Sequence, residues 1–287
     1  MSGFKHEDSG IAAAIFLALY TIYSAFMIYV LYNKGIKSIY TFLFTFALIR
    51  LGSQVCGVGF AIVGVENVDW LIAYLVLGAE GYFVLILCAF RFVSRAQETD
   101  LGHSWVLQEG PNIPCLQFIT KTWARIFHYL LIPANVLVIA GGTMLTNVTD
   151  FDKEHDKVVT SKAMRTAGQA MFLSMTLMVV MLSVWSYKVD RVRNHFNVTV
   201  LLALPFLTVR GIFGVLSIFI KSMNYFQLSN YSANGINHKL VVYEYVLSTT
   251  MEFLASGCLM SNFFLEKRKK TMDYESSSDS IGKREVI

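Results

Sequence analysis

Arg50, Glu80, Arg210 and Glu252 each interrupt a long apolar run, and their types and spacing make them the side chains best placed to do chemistry. A charge held in hydrocarbon is costly, so an ionisable residue in such a run is a site candidate by default. Counted from the cytosolic ends of their runs, the four lie 11, 13, 12 and 12 residues in. At about 1.5 Å per residue that places them within about 3 Å of one level, close to mid-membrane. Two basic and two acidic groups at one depth can neutralise one another. Asn135 falls at a similar depth, two residues after Pro133, and Pro205 precedes Arg210 by five. A proline frees a backbone carbonyl from the helix ladder, and opened ladders beside buried polar groups are how many membrane proteins build binding sites. The five residues Arg50, Glu80, Asn135, Arg210 and Glu252 therefore form the expected ligand-binding or charge cluster. Glu244, nearer the outer surface, is more easily solvated. The plainer role for such pairs is to tie helices together.

The elements that must position this cluster follow from composition. Of 287 residues, 55% are hydrophobic and 15% charged, well below the roughly 25% charge of an ordinary soluble domain. The apolar residues gather into seven stretches, 11–32, 39–63, 70–93, 126–144, 163–187, 198–220 and 240–264, each long enough for a hydrocarbon core that needs about 20 helical residues. The expected fold is an all-α membrane protein, a seven-transmembrane-helix bundle over 11–264, with an external N-terminus at 1–10 and a disordered cytosolic tail at 265–287. The longest loop, 94–125, is too short for a core of its own.

Fifteen Lys and Arg residues fall in the first, third and fifth loops and the tail, against seven on the opposite side, Arg165 among them. The positive-inside rule then sets the C-terminus in the cytosol and, with seven crossings, the N-terminus outside. The sequons at Asn147 and Asn230 lie in outer loops and are the expected glycosylation sites, whereas Asn197 would face the cytosol. Cys56, Cys88 and Cys258 fall within spans and Cys115 in a cytosolic loop, which excludes an extracellular disulfide scaffold. Asp150, Asp152, Glu154 and Asp156 alternate in an outer loop but lack the turn glycine and closing glutamate of a calcium loop.

Two further patterns bear on function. Phe46 to Arg50 and Phe206 to Arg210 share their spacing, as a parallel duplication of spans one to three and five to seven would produce. In that scheme the following span supplies an acid to each arginine, Glu80 to Arg50 and Glu252 to Arg210. Arg50, the segment Leu204-Pro205-Phe206-Leu207-Thr208-Val209-Arg210, Gly141-Gly142-Thr143 and Glu252 together resemble an uncharacterised family of fungal seven-helix membrane proteins, over most of the chain from Lys34 to Met260. More distantly the pattern is similar to fungal lipid-translocating exporters. The resemblance implies architecture and a fungal source, and carries no activity.

Other seven-helix classes fit poorly. Residues 240–264 hold no lysine for a retinal Schiff base, and Phe90-Arg91-Phe92 stands where a typical G-protein-coupled receptor carries an acidic-arginine-aromatic triplet. His103, His128, His155, His195 and His238 are scattered, so no metal centre is expected. With no phosphate loop, nucleophile elbow or dinucleotide fingerprint, neither an enzyme nor a cofactor is expected. The leading expectation is a receptor-like sensor in the plasma membrane or an endomembrane. It would bind a small or amphipathic ligand at the charged level and meet a cytosolic partner through its basic loops and tail. Its partners are then the lipid bilayer, the ligand and that protein, not nucleic acid. The alternatives are a carrier or lipid translocator using the same pocket, and a purely structural cluster.

A tag after Ile287 is expected to be cytosolic and one before Gly10 external. Protease treatment of intact cells checks this, and digestion of the C-terminal tag with protection of the N-terminal one would reverse the orientation.

Overall fold

A computed structural model of the chain describes residues 4–64, 67, 69–108, 121–145, 155–232 and 235–282. Helices α1 (Glu7–Lys34), α2 (Tyr40–Val63), α3 (Asp69–Leu101), α4 (Trp123–Thr143), α5 (His155–Lys188) and α6 (His195–Phe219) are each long and apolar enough to cross a membrane. The last helical stretch is composite: α7 (His238–Glu244), a π segment (Tyr245–Thr250) and α8 (Met251–Gly282). Six spans thus stand as single apolar helices. The expected seventh, 240–264, is helical but is divided by the π segment, so no one α-helix carries its apolar length. Among the described residues the sole strand pairing is a two-residue antiparallel hairpin, β1 (Tyr231–Ser232) with β2 (Gly235–Ile236).

Local chemistry sets the helix ends. Glu7 and Asp8 lie in the first turn of α1 and Lys34 in its last, each complementing the helix dipole. Gly35 at φ +83° and Gly64 at φ +79° stop α1 and α2 in a backbone region that side chains disfavour, with their amides bonded back to Leu31 O and Phe60 O. Thr122 caps α4 by accepting from the Arg125 amide, and Asn194 caps α6 by accepting from that of Asn197.

Two helices outrun their expected spans. α3 continues to Leu101 and α5 starts at His155, because once a helix is nucleated each further residue adds a bond at little cost. The same propagation carries α8 to Gly282, through the region where a disordered tail was expected to begin at 265. Lys34 at the end of α1 pairs with Glu266 on this extension.

The bundle is arranged with its polar side chains inward. Arg50, Ser53, Gln54, Ser183, Asn197 and Glu252 are fully buried, while Ile22, Ile28, Val136, Met181, Leu202 and Phe219 are exposed on the perimeter. Exposed apolar faces on several helices suit a hydrocarbon solvent rather than water. α3 is the central element and packs against α2, α4, α5, α6 and α8. At its C-terminal end, Ser104 donates to Gln97 at 2.7 Å and Gln97 donates to Ser186 at 2.8 Å, which ties the following turn to α5. Cys56, Cys88 and Cys258 are free thiols.

The described residues between α6 and α7 bond back onto one another as a cap. Asn230 is buried, and its amide nitrogen donates to Lys221 O at 2.6 Å and Asn224 O at 2.8 Å. That nitrogen is the atom a glycan would take, so in this conformation Asn230 is occupied by the fold. The Asn147 sequon, Cys115 and the acidic residues Asp150, Asp152 and Glu154 lie outside the described residues.

Close packing of α4 on α5 depends on small residues. A Cβ added at Gly168 would stand 2.6 Å from Ala134 O and from Val138 Cγ2. Gly168→Ala is expected to force the two helices apart and to cost about 1 to 3 kcal/mol, measured by thermal unfolding in detergent. An unchanged Tm would show that the interface yields freely.

Candidate ligand-binding site

Three of the four mid-level charges meet. Arg210 Nε donates to Glu252 Oε1 at 2.6 Å, and Arg50 Nε lies 3.2 Å from Glu252 Oε2, with Arg50 and Glu252 entirely inaccessible and Arg210 nearly so. The Arg210 contact is an aligned hydrogen bond. The Arg50 contact is a charge pair without hydrogen-bond alignment, and the aligned donor of Arg50 is Nη2, which reaches Thr249 Oγ1 at 2.8 Å. Two cations share one carboxylate, so the triad carries one surplus positive charge.

Each helix supplies a specific condition for this arrangement. Thr249 and Glu252 are three residues apart, hence on one face of their helix. The π segment before them contains Ser248, Thr249 and Thr250, whose hydroxyls compete for backbone carbonyls. Thr250 Oγ1 donates to Tyr245 O at 2.7 Å, five residues back, as the wider turn requires. Such π turns occur frequently at functional sites.

On α3, Gly81 makes room. A Cβ there would come within 2.6 Å of Arg50 Cδ, and one at Gly78 within 3.3 Å of its Nη1. Aromatic faces complete the enclosure: the Tyr20 ring lies 5.8 Å from the Arg50 guanidinium and the Tyr82 ring 4.9 Å from that of Arg210. Both distances fall within the range of cation–π attraction.

Glu80 does not join them. It accepts from Asn135 Nδ2 at 2.6 Å and links α3 to α4 in a partly buried pair. The reason is angular. Gly78 and Gly81 form the face of α3 turned to Arg50, and consecutive helical residues point about 100° apart, so Glu80 is turned away from that face. The expected scheme of one arginine and one acid in each half is accordingly absent, since Glu252 serves both arginines.

Beside the triad lies a cavity of about 520 Å³ between α3, α4, α5, α6 and α7, at the N-terminal halves of α3 and α5 and the C-terminal halves of α4 and α6. Leu71, Leu75, Val138 and Phe213 give it an apolar wall, and Tyr225, Phe226 and Tyr231 of the cap reach into it. Its charged lining is Arg165, Arg210 and Glu244, with Gln169 beside them. Arg210 therefore belongs to both triad and cavity. The volume lies within the usual range for small-molecule sites, and a mostly apolar wall with few polar groups is their usual composition.

Sequence reasoning missed Arg165 as a site residue. It was counted with the outer-loop cations, yet it is 8% exposed, and its guanidinium stacks 4.2 Å from the centre of the Phe226 ring. The signal in the sequence was its position inside the expected fifth span, and the room it occupies is left by Gly141 on α4. A Cβ at Gly141 would stand 2.8 Å from Arg165 Cγ. Among the described residues Arg165 has no acidic partner, and its Nε is buried without a hydrogen bond, as is Gln169 Oε1. No group of three or more His, Cys, Asp or Glu side chains among the described residues could hold a metal ion.

Helices of this length and composition, polar at the centre and apolar at the perimeter, define a multi-pass helical membrane protein. Residues 7–267 match the family described as Domain of unknown function (DUF7702), and the chain belongs to it. No curated protein and no solved structure matches the chain. The family description names no activity, so function is argued from the site.

Glu252→Gln leaves two buried cations without an anion and is expected to cost about 3 to 5 kcal/mol. Arg50→Met leaves the neutral Arg210–Glu252 pair and strands only Thr249, an expected loss of about 1 to 3 kcal/mol. Denaturation in mixed micelles orders the two, and a greater loss for Arg50→Met would show that Glu252 is not the shared counter-charge.

Proposed function

We propose that this chain is a receptor-like sensor with seven crossings, N-terminus outside and C-terminus in the cytosol, that binds a small or amphipathic ligand in the cavity beside the triad. One observation carries the reading: Arg210 lines the cavity and at the same time holds Glu252. A ligand that draws on Arg210 changes its differential affinity for Glu252, and with it the balance between two arrangements of the last helix. The Thr249 contact and the π segment lie directly in that path. The cytosolic extension of α8, joined to α1 by Lys34 and Glu266, is where such a change would be read by a partner.

The carrier alternative drew its support from a duplication with an acid for each arginine. The shared Glu252 leaves that idea only its Phe-to-Arg spacing.

Octane-1-sulfonate, a permanent anion with an eight-carbon tail, serves as a probe below its micelle concentration. In lipid nanodiscs it is expected to raise the Tm of the protein by mass action. Gly142→Leu, which fills the cavity from its α4 wall, is expected to abolish the rise. Proteoliposomes loaded with labelled probe are expected to release it no faster than protein-free vesicles. An undiminished rise in Gly142→Leu would place binding elsewhere, and faster release would make the protein a carrier.

A further inference from the structure

We infer that the cavity is built for an amphiphile bearing a single anionic group, seated on the Arg165 guanidinium, with its apolar body along the α3 wall. The inference rests on the cavity being the ligand site and adds the chemistry of what enters it.

Arg50, Arg210 and Glu252 sum to one positive charge. Glu244 lines the cavity together with Arg210, and counted as a carboxylate it brings these four groups to neutrality. Glu80 is engaged by Asn135 and does not line the cavity. Arg165 is left over. It is more than nine-tenths buried, and among the described residues it has no salt-bridge partner and its Nε has no hydrogen-bond partner. The Phe226 ring beneath it supplies less than the desolvation of a guanidinium costs. A buried cation in that condition persists where function requires it, and one negative charge from a ligand would bring the polar centre to neutrality.

Arginine favours oxyanions such as carboxylate, phosphate or sulfonate, two of whose oxygens its planar fork of N–H donors can hold through parallel bonds. Gln169, one turn further along α5, can turn its amide nitrogen toward the same group. The remaining wall offers Leu71, Leu75 and Phe213, which suit a hydrocarbon or aromatic body. A zwitterion fits less well, because the acid that would hold its cation, Glu244, is already faced by the triad.

Three probes with one eight-carbon tail test this on the full chain in nanodiscs: octane-1-sulfonate, octan-1-ol and octyltrimethylammonium, each scored by the concentration that raises Tm. The expected order is anion, then neutral, then cation, with the anion at least about tenfold more potent than the alcohol, as a charge-assisted bond allows. Arg165→Gln is expected to keep or raise the Tm without ligand and to lose the anion's advantage while keeping the alcohol's effect. Arg165→Lys is expected to retain part of the advantage. Equal potency of the three probes on the unmodified protein, or a preference for the anion that survives Arg165→Gln, overturns the anionic seat. In those cases loss of all responses in Gly142→Leu would leave the cavity reading intact. Responses that persist in Gly142→Leu overturn both. Should Arg165→Gln fail to fold, the order of the three probes on the unmodified protein decides alone.

Discussion

Burying two arginines against one glutamate imposes more on this bundle than any apolar contact does. Desolvation of three ions costs several kcal/mol each unless geometry and hydrogen bonds return it, and the surrounding helices are shaped to provide that return. α3 gives up side chains at Gly78 and Gly81 so that Arg50 can lie against its backbone. α8 enters through a π turn that places Thr249 and Glu252 on the arginine face. Tyr20 and Tyr82 turn aromatic faces to the two guanidinium groups. Even so the triad is not neutral, and one of its arginines, Arg210, lines the cavity that Glu244 also lines.

The polar centre and the cavity thus form one electrostatic unit with two compartments. The inner compartment is sealed and holds the last helix in place. The outer one is lined by the same Arg210 and capped by the turn in which Asn230 and Tyr231 bond back to the chain, Asn230 to Lys221 O and Asn224 O, and Tyr231 to Tyr225 O at 2.7 Å. Stability and recognition pull against each other at Arg165. Unpaired among the described residues, its buried charge burdens the fold, and a bound anion would relieve it.

The sequence made depth legible and left direction hidden. Counting residues from the helix ends placed Arg50, Arg210 and Glu252 at one level, and they meet. The same count included Glu80, which sits at that level but on another face of α3, because depth along an axis says nothing of angle around it. The reading of 240–264 as one span could not foresee the π segment, although three consecutive hydroxyl residues hinted at it. Arg165 was counted among the seven cations of the outer side, although it falls inside the expected span 163–187. Its burial depends on Gly141 in a different helix, a contact that one sequence cannot display. The tail was read as structureless from its polarity, whereas the helix already established before it continues into that region.

The π segment also sets how the chain can vary in length. A π turn holds one more residue than an α turn, so excising one residue from 245–250 would let an ordinary helix run through. Because the wide turn has already absorbed that residue, the helix beyond the excision would keep about its present angle, and Glu252 would stay near the arginines. Loss of the wide turn at unchanged length would instead rotate everything after it by about 100° relative to α7, swinging Glu252 off the arginines while Glu244 stayed at the cavity. The angle between two acids eight positions apart thus depends on the turn and its extra residue together.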